Sequence, residues 1–259
     1  MLGCGLALVC LVLMPVLILI VGEDPRNMLR VLGEARVRAA LGTTVLTATV
    51  ATVVLAACLT PFTYALSRLR FPGRPLLLSL MDLPVVVPQS VAGIALISVF
   101  GRQQVLGEFF FNYLGVRFDG TMLGIILAQV FVGLPFMARS ALAAFDAVPA
   151  ALENQARTLG ASPAGAFRRV TLPLASRGIF LGAVLAWARA AGEFGAVLFI
   201  APSPETAPIA VYNRFYNVGV IESTPLAATL LAFSVVMFLL LQLASRLFYD
   251  THGQRGGGG

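Results

Sequence analysis

The chain has 259 residues, of which 58% are apolar and only 12% are charged, and its formal net charge is +6. All 18 Lys+Arg positions are arginine, so there is no lysine for a phosphate-binding G-x-x-x-x-G-K-[ST] loop or for a Schiff base. One histidine and three separated cysteines exclude a His/Cys metal site of the usual kind, and the apolar excess indicates a polytopic membrane protein.

Long apolar windows predict six membrane-spanning helices. Four of these windows hold no charged side chain at all: 2–21, 39–67, 120–138 and 223–245. About 20 apolar residues cross the hydrocarbon core as a helix, and the predicted spans are 2–21, 40–66, 76–100, 121–143, 178–201 and 225–247. The sequence therefore predicts an all-α integral membrane protein with one transmembrane domain, 1–250, and a disordered tail, 251–259.

The first predicted span differs from a cleaved signal peptide. No arginine precedes it, since the first arginine is Arg26, and the residues after Val21 form no small-x-small cleavage site. We expect this segment to be retained as a helix.

Arginine counts predict the orientation of the chain. With the N-terminus inside, the inner segments 67–75 and 139–177 and the tail from Arg246 hold ten arginines, and the outer loops hold seven. Arginine is enriched in cytoplasmic loops, so we expect both termini to be cytoplasmic. This topology accounts for the positive charge, and no basic run interleaved with aromatic residues indicates nucleic-acid binding.

The long inner loop, 144–177, is predicted to contain a short surface helix. Pro149 suits the first turn of a helix, and Gly160 suits a left-handed helix end. The apolar face of this helix comprises Leu152, Ala156 and Leu159, and the residues off that face include Glu153, Asn154 and Arg157. The residue pattern alone is compatible with two interpretations, a helix gripped by another protein and an amphipathic helix that rests on lipid.

A second short helix is predicted to follow at once. Ser162 and Pro163 form an N-cap and first-turn pair, and the helix would carry Phe167 and end before Leu172 and Pro173. The loop is therefore expected to form a compact helix–turn–helix on the membrane surface.

Charges and helix breakers inside the spans are candidates for the transport pathway. Arg189 and Glu193 are four residues apart, so they share one helix face, and a charge inside the membrane is costly enough to suggest a function. Small residues at 178, 182, 186 and 190 permit close helix approach. Asp82, Pro84 and Pro88 interrupt the third span, as in helices that line a pathway. In each case the alternative is a purely structural role in packing.

The inner loop resembles the coupling motif of ABC importer permeases, which reads E-A-A, three residues, G, nine residues, I-x-L-P. Asn154-Gln155-Ala156 falls on the first slot, Gly160 on the glycine, and Val170-Thr171-Leu172-Pro173 on the last slot. The glycine and Leu-Pro spacing match, whereas the first two positions depart from the pattern, and Glu153 supplies an acid one residue earlier. The residues that the resemblance implies in coupling to an ATPase are Leu152, Glu153, Asn154, Gln155, Ala156, Arg157, Leu159, Gly160, Ser162, Phe167, Leu172 and Pro173.

Segments after the inner loop indicate which branch of the permease family the chain resembles. The resemblance as a whole covers about residues 40–247. The stretch 187–197 is similar to the fifth helix of the oxyanion branch, the molybdate, tungstate and sulfate permeases, and 207–215 looks most like the molybdate/tungstate members. The pathway or inner-helix candidates are Asp82, Pro84, Pro88, Arg189, Glu193 and Gly195. No residue is nominated for substrate binding.

The resemblance implies a small type I ABC importer permease with a cytoplasmic coupling helix. Such a subunit works as a homodimer in the cytoplasmic (inner) membrane, with two ATPase subunits inside and an extracytoplasmic oxyanion-binding protein outside. It would bind lipid but no cofactor or metal, and it would catalyse no reaction, because ATP and magnesium are used by the partner ATPase. The alternatives are a sulfate or other oxyanion permease of the same class, a stand-alone secondary transporter and, least favoured, a membrane enzyme.

Overall fold

The computed structural model describes the backbone of residues 2–253 and the side chains of residues 5–243. Every regular element in this part of the chain is helical. The helices are α1 (Leu2–Val21), α2 (Pro25–Gly33), α3 (Ala35–Arg68), α4 (Arg74–Met81), α5 (Leu83–Val86), α6 (Gln89–Phe100), α7 (Val105–Leu114), α8 (Met122–Asp146), α9 (Ala150–Thr158), α10 (Pro163–Ala166), α11 (Leu172–Ala191), α12 (Gly195–Ile200), α13 (Ala207–Val218) and α14 (Val220–Gly253). A π-helical turn, Phe167–Thr171, joins α10 to α11.

The number of spans agrees with the number predicted. Four continuous helices within the described residues are long and apolar enough to cross a membrane: Ala35–Arg68, Met122–Asp146, Pro163–Ala191 and Val220–Leu243. Two bent helix pairs also qualify: Gly5–Val21 with Pro25–Gly33, bent by 71°, and Arg74–Val86 with Gln89–Phe100, bent by 111°. Counting each bent pair as one span gives six.

The break in the third span lies where the prolines predicted an interruption. Pro84 occupies the first turn of α5, where its missing N–H costs no hydrogen bond, and α5 ends at Val86. Pro88 has an extended ψ of 135° and precedes the first residue of α6. The second half of this span, α6, is therefore a separate helix at 111° to the first half.

The predicted fifth span, 178–201, is wrong as a continuous helix. It begins earlier, because α10, the π turn and α11 form one helical stretch of 29 residues, Pro163–Ala191. It also ends earlier, since the helix stops at Ala191 and resumes as α12 at Gly195. Glu193 explains the restart, because its carboxylate accepts the backbone N–H of Ala196 in the first turn of α12, at 2.7 Å.

The second short inner helix does not end before Leu172 and Pro173, as the sequence predicted. A proline inside a helix removes a backbone hydrogen bond. Here the turn before Pro173 is π-helical, with hydrogen bonds that span one more residue than in an α-helix, and the helix continues through it. The N–H of Leu172 donates to the carbonyl oxygen of Phe167, five residues back, and Pro173 then lies in the first turn of α11. The second short helix of the inner loop is therefore continuous with the fifth span.

Three predicted outer loops contain helices that the sequence analysis missed, α2, α7 and α13. Asp24 caps α2 by accepting the backbone N–H of Arg26, and Pro25 occupies its first position. Gly115, with φ of +67°, ends α7 in the left-handed conformation. At the other end of the chain, α14 continues to Gly253, three residues into the predicted tail, and residues 254–259 of that tail lie outside the described residues.

Helices α3, α8 and α11 pack together as the centre of the bundle. Glycines permit their close approach, because a Cβ on Gly178 would lie 2.5 Å from the Cβ of Ala144, and one on Gly182 would lie 2.7 Å from the Cβ of Ser140. Between these helices lie the buried side chains of Leu55, Leu59, Met137, Ala138, Ala141 and Ala186. The stripe of small residues predicted on the fifth span is thus the face that α11 presents to α8.

Candidate coupling site and inner helix

The surface helix of the inner loop has the boundaries that its turn residues require. It is α9, preceded by Pro149 and followed by Gly160, whose φ of +94° is the left-handed conformation expected there. The N–H of Ala161 closes the helix end on the carbonyl oxygen of Ala156 at 3.0 Å. Ser162 then caps α10 by accepting the N–H of Gly165 at 3.1 Å.

Most of α9 faces away from the rest of the chain. Leu159 is 89% exposed and Leu152 is also exposed, so the predicted apolar face is on the outside and is not packed against the protein. The other exposed residues of the predicted coupling set are Asn154, Gln155, Arg157, Gly160, Ser162 and Pro173, while Ala156, Phe167 and Leu172 are partly buried. The exposed surface of α9 is therefore a mixture of apolar and polar side chains.

Glu153 is the exception, because it points inward. Its carboxylate accepts hydrogen bonds from Arg68 Nε at 2.9 Å, from the hydroxyl of Thr171 at 2.7 Å and from the hydroxyl of Tyr64 at 3.0 Å. These donors come from α3 and from the π turn before α11. The sequence analysis placed Glu153 with the residues that couple to an ATPase, and its position makes it an internal anchor for α9.

The anchor extends from Arg68 to the end of α8. Arg68 also donates to the carbonyl oxygens of Phe145, at 3.3 Å, and Val148, at 3.1 Å. Beneath it the rings of Tyr64, Phe145 and Phe167 contact one another, with centroids 4.4 to 6.2 Å apart. One buried carboxylate and one guanidinium thus tie α9 to three spans, α3, α8 and α11.

The electrostatics of the anchor keep Glu153 ionised. Burial alone would raise the pKa of Glu153, but the hydrogen bonds from Arg68, Thr171 and Tyr64 outweigh it and hold the pKa below its ordinary value of 4.5. The contribution to stability is therefore complete above pH 4.5 and is lost as the pH falls through the lower, folded-state value.

We expect this loss to be visible in acid unfolding. The thermal midpoint of the purified protein should fall between pH 6 and pH 3 by more in the wild type than in Glu153→Gln, because the variant has no carboxylate there to protonate. Thermal melts in detergent at a series of pH values check this. Parallel curves for the two proteins would contradict it.

Gly160 supports a second prediction. A β-branched residue in the left-handed conformation costs about 1–2 kcal/mol or more, so Gly160→Val should distort the end of α9 and lower the uptake obtained per ATP hydrolysed. No atom lies within 4 Å of a Cβ at this position, so the expected effect comes from the backbone and not from a clash. Gly33→Val is a suitable control, since its site is also open and its φ is not positive. An unchanged transport-to-hydrolysis ratio for Gly160→Val would refute the expected role of this turn.

The ion pair predicted inside the fifth span is present although the helix breaks between its members. Arg189 Nη1 lies 2.6 Å from Glu193 Oε2. The contact is an ion pair, and Oε2 accepts no aligned hydrogen bond within the described residues. The side chain of Glu193 has no exposed surface, whereas that of Arg189 is 24% exposed.

Small residues and amides hold the second half of this span against its neighbours. Gly195, at the start of α12, lies against Gln89, at the start of α6, where an added Cβ would be 2.6 Å from the Cβ of Gln89. On α8, Gln129 donates to the carbonyl oxygen of Ala190 at 3.1 Å and satisfies one of the last carbonyls of α11. The breaks in the third and fifth spans are therefore side by side.

Asp82 has a partner that the sequence analysis did not find. Its carboxylate accepts a hydrogen bond from Arg139 Nε at 2.9 Å and a second from Nη2 of the same residue. Arg139 lies within the predicted span 121–143, although it was counted with the inner segment 139–177, and it is carried by α8, which continues to Asp146. The ion pair connects α8 to the junction of α4 and α5, the two short helices that precede the break in the third span. Asp82 and Pro84 are therefore held against α8, and Pro88 lies at the break itself.

The opposite end of the bundle carries a second group of ion pairs. Arg36 pairs with Glu205, and Arg214 donates to Glu34 at 3.0 Å. A cavity of about 360 Å³ lies beside these residues, between the start of α3, α13 and the start of α14. Among the residues whose side chains are described, no group of three or more His, Cys, Asp or Glu is placed to hold a metal ion.

Comparison with known proteins identifies relatives over most of the chain. It is 37% identical to the probable molybdenum ABC transporter permease protein of Haloferax volcanii, over 88% of this chain and 83% of that protein. It is 33% identical to the molybdate/tungstate transport system permease protein WtpB of Thermococcus kodakarensis, over 92% of each chain. It is also 33% identical to the sulfate transport system permease protein CysT of Salmonella typhimurium, over 95% of this chain and 91% of that one.

Solved structures share the fold at low sequence identity. A chain of the bacterial alginate ABC transporter, in complex with its alginate-bound periplasmic protein, superposes with a TM-score of 0.73 at 14% identity, over 96% of this chain and 93% of that chain. A chain of the MetNI methionine ABC transporter, in an inward-facing conformation, gives 0.61 at 18% identity, over 85% and 99%. The profile described as "Binding-protein-dependent transport system inner membrane component" matches residues 60–255. This chain belongs to that family, the multi-pass inner-membrane permeases of ABC transport systems.

Proposed function

We propose that this chain is the permease subunit of an ATP-driven importer that moves molybdate or tungstate across the cytoplasmic membrane. The observation that carries the proposal is α9, which is fixed to three spans through Glu153 while its outer face, including Leu159, is free for a partner. A rigid helix of this kind transmits force, because movement imposed on its outer face reaches the spans without loss in a flexible joint. The choice of molybdate or tungstate as the substrate is supported by the relatives from Haloferax volcanii and Thermococcus kodakarensis.

The energy has to come from another subunit. The chain has no lysine for a phosphate-binding loop, so ATP and magnesium are used by a separate ATPase, and this chain is non-catalytic and needs no cofactor of its own. We propose a homodimer with two ATPases, in which ATP-driven closure of the ATPases pulls the two α9 helices together. The permease then alternates between inward-open and outward-open states, and an extracytoplasmic binding protein delivers the anion.

The proposed contact between α9 and the ATPase also sets the orientation of the chain in the membrane. For α9 to meet a cytoplasmic ATPase, the loop 144–177 has to be inside, which places both termini in the cytoplasm. The excess of arginine on that side agrees with this topology. The ion pairs of Arg36 and Arg214 then lie on the outer face.

Reconstitution tests the proposal directly. The permease, its ATPase and its binding protein are placed in proteoliposomes, and uptake of labelled molybdate is measured with ATP and with competing tungstate or sulfate. We expect ATP-dependent uptake that tungstate suppresses and sulfate suppresses at least tenfold less well. Strong sulfate uptake without molybdate or tungstate uptake would favour the sulfate permease, the second candidate that the Salmonella typhimurium relative supports. Uptake driven by an ion gradient without ATP or partners would instead indicate a secondary transporter.

A further inference from the structure

Arg189 differs from the other ion-paired arginines in the described part of the chain. Each of those donates at least one aligned hydrogen bond, as Arg68 and Arg139 do to their carboxylates; the remaining members of this group are Arg36, Arg74, Arg117 and Arg214. Arg189 lies 2.6 Å from the carboxylate of Glu193 but makes no aligned hydrogen bond to it. A guanidinium has five N–H donors in a planar fork, and those of Arg189 make no aligned hydrogen bond within the described residues.

The pair is also asymmetric. Glu193 is fully enclosed, and its other oxygen is fixed by the N–H of Ala196 at 2.7 Å. Arg189 keeps 24% of its side chain exposed. The pair therefore presents its positive member to the open side of the helix while the negative member stays behind it.

One side of α11 is left uncovered by the rest of the described chain. This helix is packed against α3, α8 and α14, and the stripe that remains uncovered contains Leu181, Leu185 and Gly192. Arg189 lies between Leu185 and Gly192 on this stripe, beside the adjoining breaks of the third and fifth spans. A charged group inside a span and a break in a span are both features of solute pathways, and Arg189 combines the two.

We propose that Arg189 is a contact for the oxyanion during translocation. A tetrahedral dianion needs both positive charge and hydrogen-bond donors once it leaves water, and a cationic side chain with free N–H donors supplies both. Glu193 would weaken the contact by partly neutralising Arg189, so that the anion leaves again. The inference rests on the proposed function and adds to it a residue that touches the substrate inside the membrane.

The decisive variant neutralises both members of the pair. Arg189→Gln with Glu193→Gln leaves no unpaired charge in the membrane, so a pair that serves packing alone would tolerate the change. With the complete importer in proteoliposomes, we expect molybdate uptake to fall at least tenfold while ATP hydrolysis stimulated by the loaded binding protein stays within twofold of the wild type. Uptake within twofold of the wild type would overturn the proposal.

A second variant covers the case in which the neutral pair does not assemble. Arg189→Lys keeps the charge and the ion pair, and we expect at least a third of wild-type uptake with unchanged hydrolysis. A tenfold loss of uptake in Arg189→Lys with hydrolysis intact would show that charge is not what matters and would overturn the proposal. The control neutralises Arg117 and Asp119, an outer-loop pair, and should leave uptake unchanged. Absence of molybdate uptake by the wild type would count against the proposed function and not against Arg189 alone.

Discussion

Glu153→Gln is expected to disconnect ATP hydrolysis from transport. The amide keeps the shape of the side chain but removes the negative charge that pairs with Arg68, and losing this partly buried charged acceptor costs about 1–3 kcal/mol. The remaining donors, Thr171 and Tyr64, then compete for a weaker acceptor. We expect α9 to move with the ATPase while α3, α8 and α11 lag behind it, so uptake per ATP hydrolysed should fall more than tenfold in proteoliposomes.

A double-mutant cycle separates this coupling role from general destabilisation. Thermal unfolding of Arg68→Gln, Glu153→Gln and the double variant should show a non-additive energy of at least about 1 kcal/mol, because each single change already breaks the pair. Glu108→Gln is a matched control, since Glu108 is exposed on α7 and takes part in no ion pair within the described residues. Tight coupling of hydrolysis to uptake in Glu153→Gln would contradict the role assigned to the anchor.

The ends of α9 could be predicted because local chemistry sets them. A left-handed glycine and a Ser-Pro cap act within a few residues, so Gly160, Ser162 and Pro163 indicate the same turns in the sequence and in the structure. The inward direction of Glu153 could not be predicted, since its partner Arg68 is 85 residues away. Apolar periodicity predicted a face of α9 that carries Leu152 and Leu159 and leaves Glu153 off it. In the structure Glu153 is turned inward to Arg68, and the two leucines are exposed.

The spans show the same division between local and distant causes. Hydrophobic length predicts that a segment crosses the membrane, and Pro88 predicts a break, because both depend on the segment itself. The restart of the helix at Gly195 depends on Glu193, whose carboxylate accepts the N–H of Ala196 in the first turn, and an apolar window gives no sign of it. Helices α2, α7 and α13 were missed because they are too short to resemble spans, although Asp24 with Pro25 was a recognisable start signal for the first of them.

Close packing of α11 on α8 leads to the last prediction, Gly182→Ala. The added methyl group would lie 2.7 Å from the Cβ of Ser140, which is fixed to the backbone of α8 and cannot turn aside. The two helices have to separate, at a cost of about 1–3 kcal/mol, so the thermal midpoint in detergent should fall, and Gly178→Ala should act in the same direction for the same reason.

Gly42→Ala is the matched control for this series, because nothing lies within 4 Å of its Cβ on α3 and alanine is the better helix former. Its thermal midpoint should stay equal to that of the wild type or rise. The comparison isolates the helix contact from the general effect of replacing glycine. Equal midpoints for Gly182→Ala and Gly42→Ala would mean that α8 yields to the methyl group, and the rigid α8–α11 unit that we propose to carry force from α9 into the membrane would then lose its structural basis.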